Sequence, residues 1–313
     1  MAGGSGLDGR LRRLNSGAVS TPSGQVTQTL AGFVERVLDR LTDLGVVNTP
    51  LQQEWDAIRT MSLDEIDFAK AAGRLGLDPF DVDADLVDAI LRAGKELPDA
   101  LLEEFLDSVD PEAIGAAHNW LSTARTRAGP PQPWQPPDLD LGDSAESGLL
   151  PSAGRPWEAG FRLAREVRSR LQVSRDQAFP IHDLVEDLTV DEPAGGLRGL
   201  VVARTTRPRI VMPRPYPSAT VRFAQAQALG LLLLGAGRTE FVVSPAHTLL
   251  ASAARSFAAE LLVPADAIRD RIPRGPADER FFEVIGAEFG ASPFVAQHQY
   301  DNQVIGARDV VGD

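Results

Sequence analysis

Four histidines and no cysteine set the limits of the chemistry this 313-residue chain can do. Without cysteine there is no disulfide framework, no thiolate metal site and no thiol nucleophile. The histidines are His118, His182, His247 and His298. His118 lies beside Trp120 in a helical stretch, His182 stands at a helix start, and His298 lies in a helical tail. His247 precedes a helix and has Glu240 nearby, so these two are the alternative metal ligands, with zinc as the ion. A catalytic zinc needs three convergent N or O donors and an open position, and no second histidine stands at ligand spacing from His247. No GxSxG, P-loop or helix-opening GxGxxG occurs. Paired carboxylates abound, as they must in an acidic protein.

Two stretches carry a more specific pattern. The first is RFAQAQALGLLLL, Arg222 to Leu234. On a helix, residues four apart share a face, which is how HExxH aims two imidazoles at one zinc while the glutamate polarises the bound water. Arg222, Phe223, Ala226, Leu229, Gly230 and Leu232 to Leu234 fall on the helix pattern R-F-x-x-A-H-E-L-G-H-L-L-L of the ImmA/IrrE metallopeptidase family, which this stretch resembles. Gln227 stands at the first histidine, Ala228 at the glutamate and Leu231 at the second histidine. The second stretch, ASAARSFAAELLVP from Ala251 to Pro264, resembles the family's E-x-x-A-N-x-F-A-A-E-L-L-M-P. It matches from Ala254 onward, with Arg255 at the asparagine and Ala251 at the third metal ligand. Trp157 to Arg165, Gly196 to Met212 with its two apolar runs, and Phe289 to Gln299 extend the likeness over roughly the C-terminal half.

The resemblance implies a zincin-like domain whose metal chemistry has been removed. Gln227, Ala228, Leu231 and Ala251 are degenerate former-site positions, so no catalytic residue and no cofactor is assigned. A buried glutamate without its metal would be an uncompensated charge, and apolar side chains at 228, 231 and 251 avoid that cost. Gln227, the polar remnant, is expected to bond a neighbouring backbone group. Glu260 belongs to the framework and is given no catalytic role. The family is associated with regulated cleavage of repressor-like proteins, so the resemblance implies a protein partner, a repressor-like regulator, in a bacterial cell. The expectation is a regulatory pseudo-peptidase that binds without cutting. The rival is an active metal-dependent endopeptidase with unconventional ligands.

Composition narrows the remaining classes. A net charge of −13 repels a phosphate backbone, which argues against general DNA binding. The helix pair Asp67 to Leu75 and Ala84 to Leu91 has a helix-turn-helix outline. Its second helix opens with Asp83, Asp85 and Asp88, however, where a reader of DNA needs donors. An ordinary helical hairpin is the reading. The N-terminal residues lack the apolar core of a signal peptide, and the apolar run 228–237 is too short for a bilayer, which needs roughly 20 residues. A cytoplasmic, non-membrane protein is expected.

The elements that must position these residues follow from periodicity and punctuation. Residues 1–24 read as a disordered tail. Residues 25–126 read as an all-α bundle: a helix to Gly45, one opened by Thr49 and Pro50, one capped by Ser62 and Glu65 running to about Leu75, one over Ala84 to Ala93, and two opened by Pro98 and Pro111. Residues 127–156 form a Pro-rich linker in which Trp134 docks on a surface. Residues 157–313 are the zincin-like domain, with helices from Trp157 to Leu171 and Ile181 to Leu188, strands near Leu197 to Arg204 and Arg209 to Met212, and four further helices. The fold class is α+β, helix-dominated, with a small sheet.

Overall fold

The computed structural model describes residues 23–134, 155–245, 248–273 and 277–305. The expected tail therefore lies outside the described residues except at its end, as does most of the expected linker. The chain divides into two compact units, Met1–Ile66 and Asp67–Asp313.

The first unit contains α1 (Ser23–Asp43) and α2 (Pro50–Thr60). Gly45 ends α1 at φ 72°, a conformation a Cβ would disfavour, and lets the Val46 N–H reach back to the Leu41 carbonyl at 2.9 Å. Thr49 and Gln52 form the reciprocal capping box of α2, with Pro50 at its first position. Ser62 and Glu65 do the same for α3 (Leu63–Arg74). The hydrogen bonds from Ser62, the backbone one first, hold the Glu65 carboxyl below the usual range. These caps stand where the punctuation places them.

The second unit is built on a mixed sheet of four short strands: β1 (Glu186–Thr189), β2 (Gly199–Val202), β3 (Arg209–Met212) and β4 (Glu240–Val243). Their order is β1-β3-β2-β4, with β1 parallel to β3 and the other pairs antiparallel. Every residue of β2 and β4 is buried. A strand that is apolar at consecutive positions needs cover on both faces. One face presents Val201, Ile210, Met212, Phe241 and Val243 to a core shared with α7 (Pro156–Arg170), α9 (Ser218–Leu234) and α10 (Leu249–Leu262). The other presents Leu200, Val202, Val211 and Val242 to α4 (Ala84–Glu96), α5 (Asp99–Leu106) and α6 (Ile114–Ala128). The fully buried Trp120 donates to the Val190 carbonyl at 3.1 Å, and Arg209 donates to the Ala128 carbonyl at 2.7 Å.

This layering differs from a self-contained bundle over 25–126 joined by a linker to a second domain. The helices from residue 67 to 128 share one core with the sheet. The linker's first residues are ordered against that sheet: Gln132 donates its N–H to the Ala203 carbonyl at 3.0 Å, and Trp134 packs against the first core. A second difference concerns Ile181 to Leu188, where a single helix is expected. The helix α8 stops at Leu184, and β1 follows from Glu186. Its pairing with β3 outweighs the local helical spacing. β4 has no counterpart among the expected strands.

Small residues let the helices of the first layer approach. A Cβ on Gly160 of α7 would sit 2.2 Å from the Ala253 carbonyl oxygen of α10, and one on Gly230 of α9 would sit 2.8 Å from the Phe257 ring. Phe257 thus lies between α7 and α9, and the two framework segments contact each other through Gly230, Ala254 and Phe257. The chain closes with α11 (Ala265–Arg271), α12 (Glu279–Phe289) and α13 (Pro293–Gln299), followed by a short π-helical turn to Ile305. Among the described residues no helix is long and apolar enough to cross a membrane.

These packing differences predict opposite signs for two chemically identical changes. Gly160→Ala forces backbone apart and should destabilise by about 2–3 kcal/mol. Gly94→Ala, whose new methyl would meet only the Leu102 side chain at 3.9 Å, should stabilise α4 by about 0.5–1 kcal/mol. Urea midpoints at unchanged m-value measure both.

Candidate functional site

Of the four positions singled out in the sequence, Gln227, Ala228 and Leu231 lie on α9 and Ala251 lies on α10. Ala228 is fully buried, Leu231 is 3% exposed, Gln227 is 6% exposed and Ala251 is half-buried at the start of α10. Thr248 caps α10 by accepting the Ala251 N–H at 3.1 Å. Leu231 and Ala251 line a cavity of about 20 Å³ together with Glu104, Ser108, Ser244 and Thr248. That is room for about one water molecule. Gln227 makes no side-chain hydrogen bond to another described residue, so the expected bond to a neighbouring backbone group is not formed. The donor set at these positions does not fit zinc: one amide, two methyls and an isobutyl group offer no charged or imidazole ligand.

The space beside β4 is closed from the other layer. β4 is an edge strand, and edge strands carry unpaired main-chain groups. Glu104 of α5 accepts the Val242 N–H at 2.9 Å and an N–H of Arg238 at 2.6 Å. Arg238 in turn donates to the Glu240 carbonyl at 3.2 Å and lies over the Phe241 ring at 4.5 Å. Just beyond α5, the Ser108 and Ser244 hydroxyls are 2.8 Å apart. Two outward-facing groups of β4, the Val242 N–H and the Glu240 carbonyl, are therefore taken by α5 and by an arginine that α5 holds. None of Arg125, Glu104 or Ser108 was singled out in the sequence. Their partners are more than a hundred positions away, and no local signal marks them.

The alternative ligands do not converge either. Glu240 is 8% exposed, and its two carboxylate oxygens accept from Arg125 at 2.9 and 3.1 Å. Strand alternation sends Glu240 to the same face as Val242, toward α4–α6, and away from α9. Coordination by Glu240 would break that bidentate pair. His247 lies outside the described residues. His182 is exposed beside Asp183 at 3.3 Å, and His298 lies near the Phe294 ring. Among the described residues no three His, Asp or Glu side chains are grouped to hold a metal.

Glu260 is 1% exposed and ties elements together. It accepts from Arg165 at 2.7 Å, Gln299 at 2.8 Å, Gln303 at 2.6 Å and the Ala265 N–H at 3.3 Å. A buried carboxylate with four donors is a satisfied structural group. Arg222, the first residue of the helix pattern, works likewise, donating to the Phe179 carbonyl at 2.8 Å and the Gly290 carbonyl at 3.0 Å. Gln225 bonds the Val185 carbonyl at 2.9 Å and Asp187 at 3.0 Å. Arg222, which falls on the helix pattern, and Gln225, which does not, thus both serve as clasps between elements.

His118 is 4% exposed, on α6, and its Nε2 lies 3.4 Å from Glu96. Burial lowers its pKa; the carboxylate of Glu96 opposes that shift and Arg92 adds to it. A histidine whose pKa is depressed by folding binds protons more readily in the unfolded chain. Its contribution is fully present above the unfolded value of about 6.5 and is lost as pH falls through the lower folded value. The wild type should therefore lose stability below about pH 6.5. His118→Gln should be less stable at neutral pH and should flatten that part of the profile. Urea midpoints across pH 4.5 to 8 read the difference.

Compared with known proteins, the chain matches no family model and no curated sequence.

Proposed function

We propose that this chain is a degenerate pseudo-metallopeptidase of the ImmA/IrrE type that works in the cytoplasm of a bacterial cell as a regulatory protein-binding module. The observation that carries the reading is the filling of the former site. Leu231 and Ala251 line a cavity with room for about one water molecule, Ala228 is fully buried, and the helices around them pack closely at Gly160 and Gly230. The residues that the family's pattern devotes to packing, Gly230, Phe257, Ala254 and Arg222, make interlocking contacts, whereas the positions it devotes to chemistry hold no nucleophile-generating group. The partner is a repressor-like regulator, and no cofactor is required. The rival reading, an active endopeptidase using Glu240 and His247, needs a carboxylate that Arg125 holds in both oxygens.

Binding without cutting has a direct test. Tagged protein is recovered from its own cells after crosslinking, and the captured partner is then incubated with fresh protein and zinc, with and without a chelator. The expected result is one reproducible partner that stays full length in both conditions. Fragments that appear with zinc and vanish with chelator would establish the endopeptidase instead. Recovery of no partner would contradict a binding role.

A further inference from the structure

The sheet has two edges, and among the described residues a helix covers one of them. β4 is capped by α5 as described above. β1 forms the opposite edge, and its pairing with β3 fixes which groups point outward. The Glu186 N–H donates to the Pro208 carbonyl and the Val190 N–H to the Met212 carbonyl, both at 2.9 Å, so the even-numbered residues face β3. Asp187 and Thr189, between them, turn their N–H and C=O away from the sheet. Both residues are exposed, and neither makes a main-chain hydrogen bond from these groups to another described residue. Leu188 is half-buried against the second core and offers an apolar contact on one face.

The exposed charged residues of the segment 183–192 are all acidic, and Arg207 lies at its start, donating to the His182 carbonyl at 3.4 Å. Asp183, Asp187, Asp191 and Glu192 are exposed within one short stretch, while Glu186 is paired with Arg209 at 2.7 Å. Charges on an edge strand guard against indiscriminate pairing, and here they act with a sign. Two copies of this edge would bring like charges together, on a chain whose net charge is already −13. An extended segment rich in lysine and arginine would meet opposite charge at the same positions.

We infer that the outer edge of β1 is a docking strand for a basic, extended segment of a partner protein, which adds to the sheet beside Asp187 and Thr189. Main-chain hydrogen bonds give such strand addition its affinity, and flanking side chains give it selectivity. The inference rests on the protein-binding reading and places it on the face of the sheet edge remote from β4. It also accounts for how a protein can be engaged while the region over Leu231 and Ala251 stays shut.

The probe is a fluorescein-labelled peptide of about ten residues alternating lysine with valine and threonine, titrated at low salt into the full chain. Its controls are the same peptide with glutamate for lysine and a version N-methylated on alternate residues. Binding should be measurable for the lysine peptide alone, weaken at least tenfold in 0.5 M salt, and slow hydrogen exchange at the Asp187 and Thr189 amides without altering Leu231. Thr189→Pro removes an N–H that the sheet itself does not use, as Pro at an edge permits; it should lower affinity at least tenfold. Exchange protection at Asp187 and Thr189 keeps the test decisive if that variant is unstable. Binding that leaves those two amides unprotected, equal binding of the glutamate or N-methylated peptides, or no binding of the lysine peptide would overturn the inference. A partner captured from cells whose recovery survives Thr189→Pro would sink the edge site and leave the binding role standing.

Discussion

The burial of the sheet on both faces governs the rest of this structure. β2 and β4 carry large apolar groups at successive positions, and neither face can be left to water without exposing them. The first layer, with α7, α9 and α10, covers one side. The other side is covered by helices that precede the Pro-rich stretch in sequence. Once those helices are committed to the sheet, Arg125 is brought to Glu240 and Glu104 to Val242, and the outer margin of β4 closes. The narrowness of the cavity beside Leu231 and Ala251 thus follows from covering the sheet, reinforced by a few polar contacts.

The packing of the first layer rests on a small set of contacts. Close approach of α7, α9 and α10 depends on Gly160, Gly230 and Phe257, and clasping of α9 to the remaining chain depends on Arg222 and Gln225. None of these interactions involves the side chains of Gln227, Ala228, Leu231 or Ala251. Ala228 and Leu231 themselves belong to the apolar core. The buried carboxylates Glu240 and Glu260 are each held by an arginine, Arg125 and Arg165.

Local features were legible in the sequence, and their placement was not. Helix caps at Thr49 and Ser62 and the termination at Gly45 depend on residues a few positions apart, so punctuation locates them well. The positions of Gln227, Ala228, Leu231 and Ala251 on two adjoining helices follow from their motifs. β1 and β4 escaped because four-residue strands give too little periodicity, and their existence depends on pairing partners distant in sequence. The run of apolar residues in β2 did hold the signal that both faces need cover. Recognising which helices provide it requires knowing that the Pro-rich stretch separates helices sharing one core with the sheet. Glu240 read as a free carboxylate near His247 because nothing local reveals Arg125.

Stoichiometric metal content is the measurement that bears most directly on this account. The purified, untagged chain is dialysed against trace zinc and then analysed for its elements. A closed, ligand-free site predicts less than about 0.1 zinc per chain. About one zinc per chain, retained after dialysis, would contradict it and would direct attention to ligands around His247.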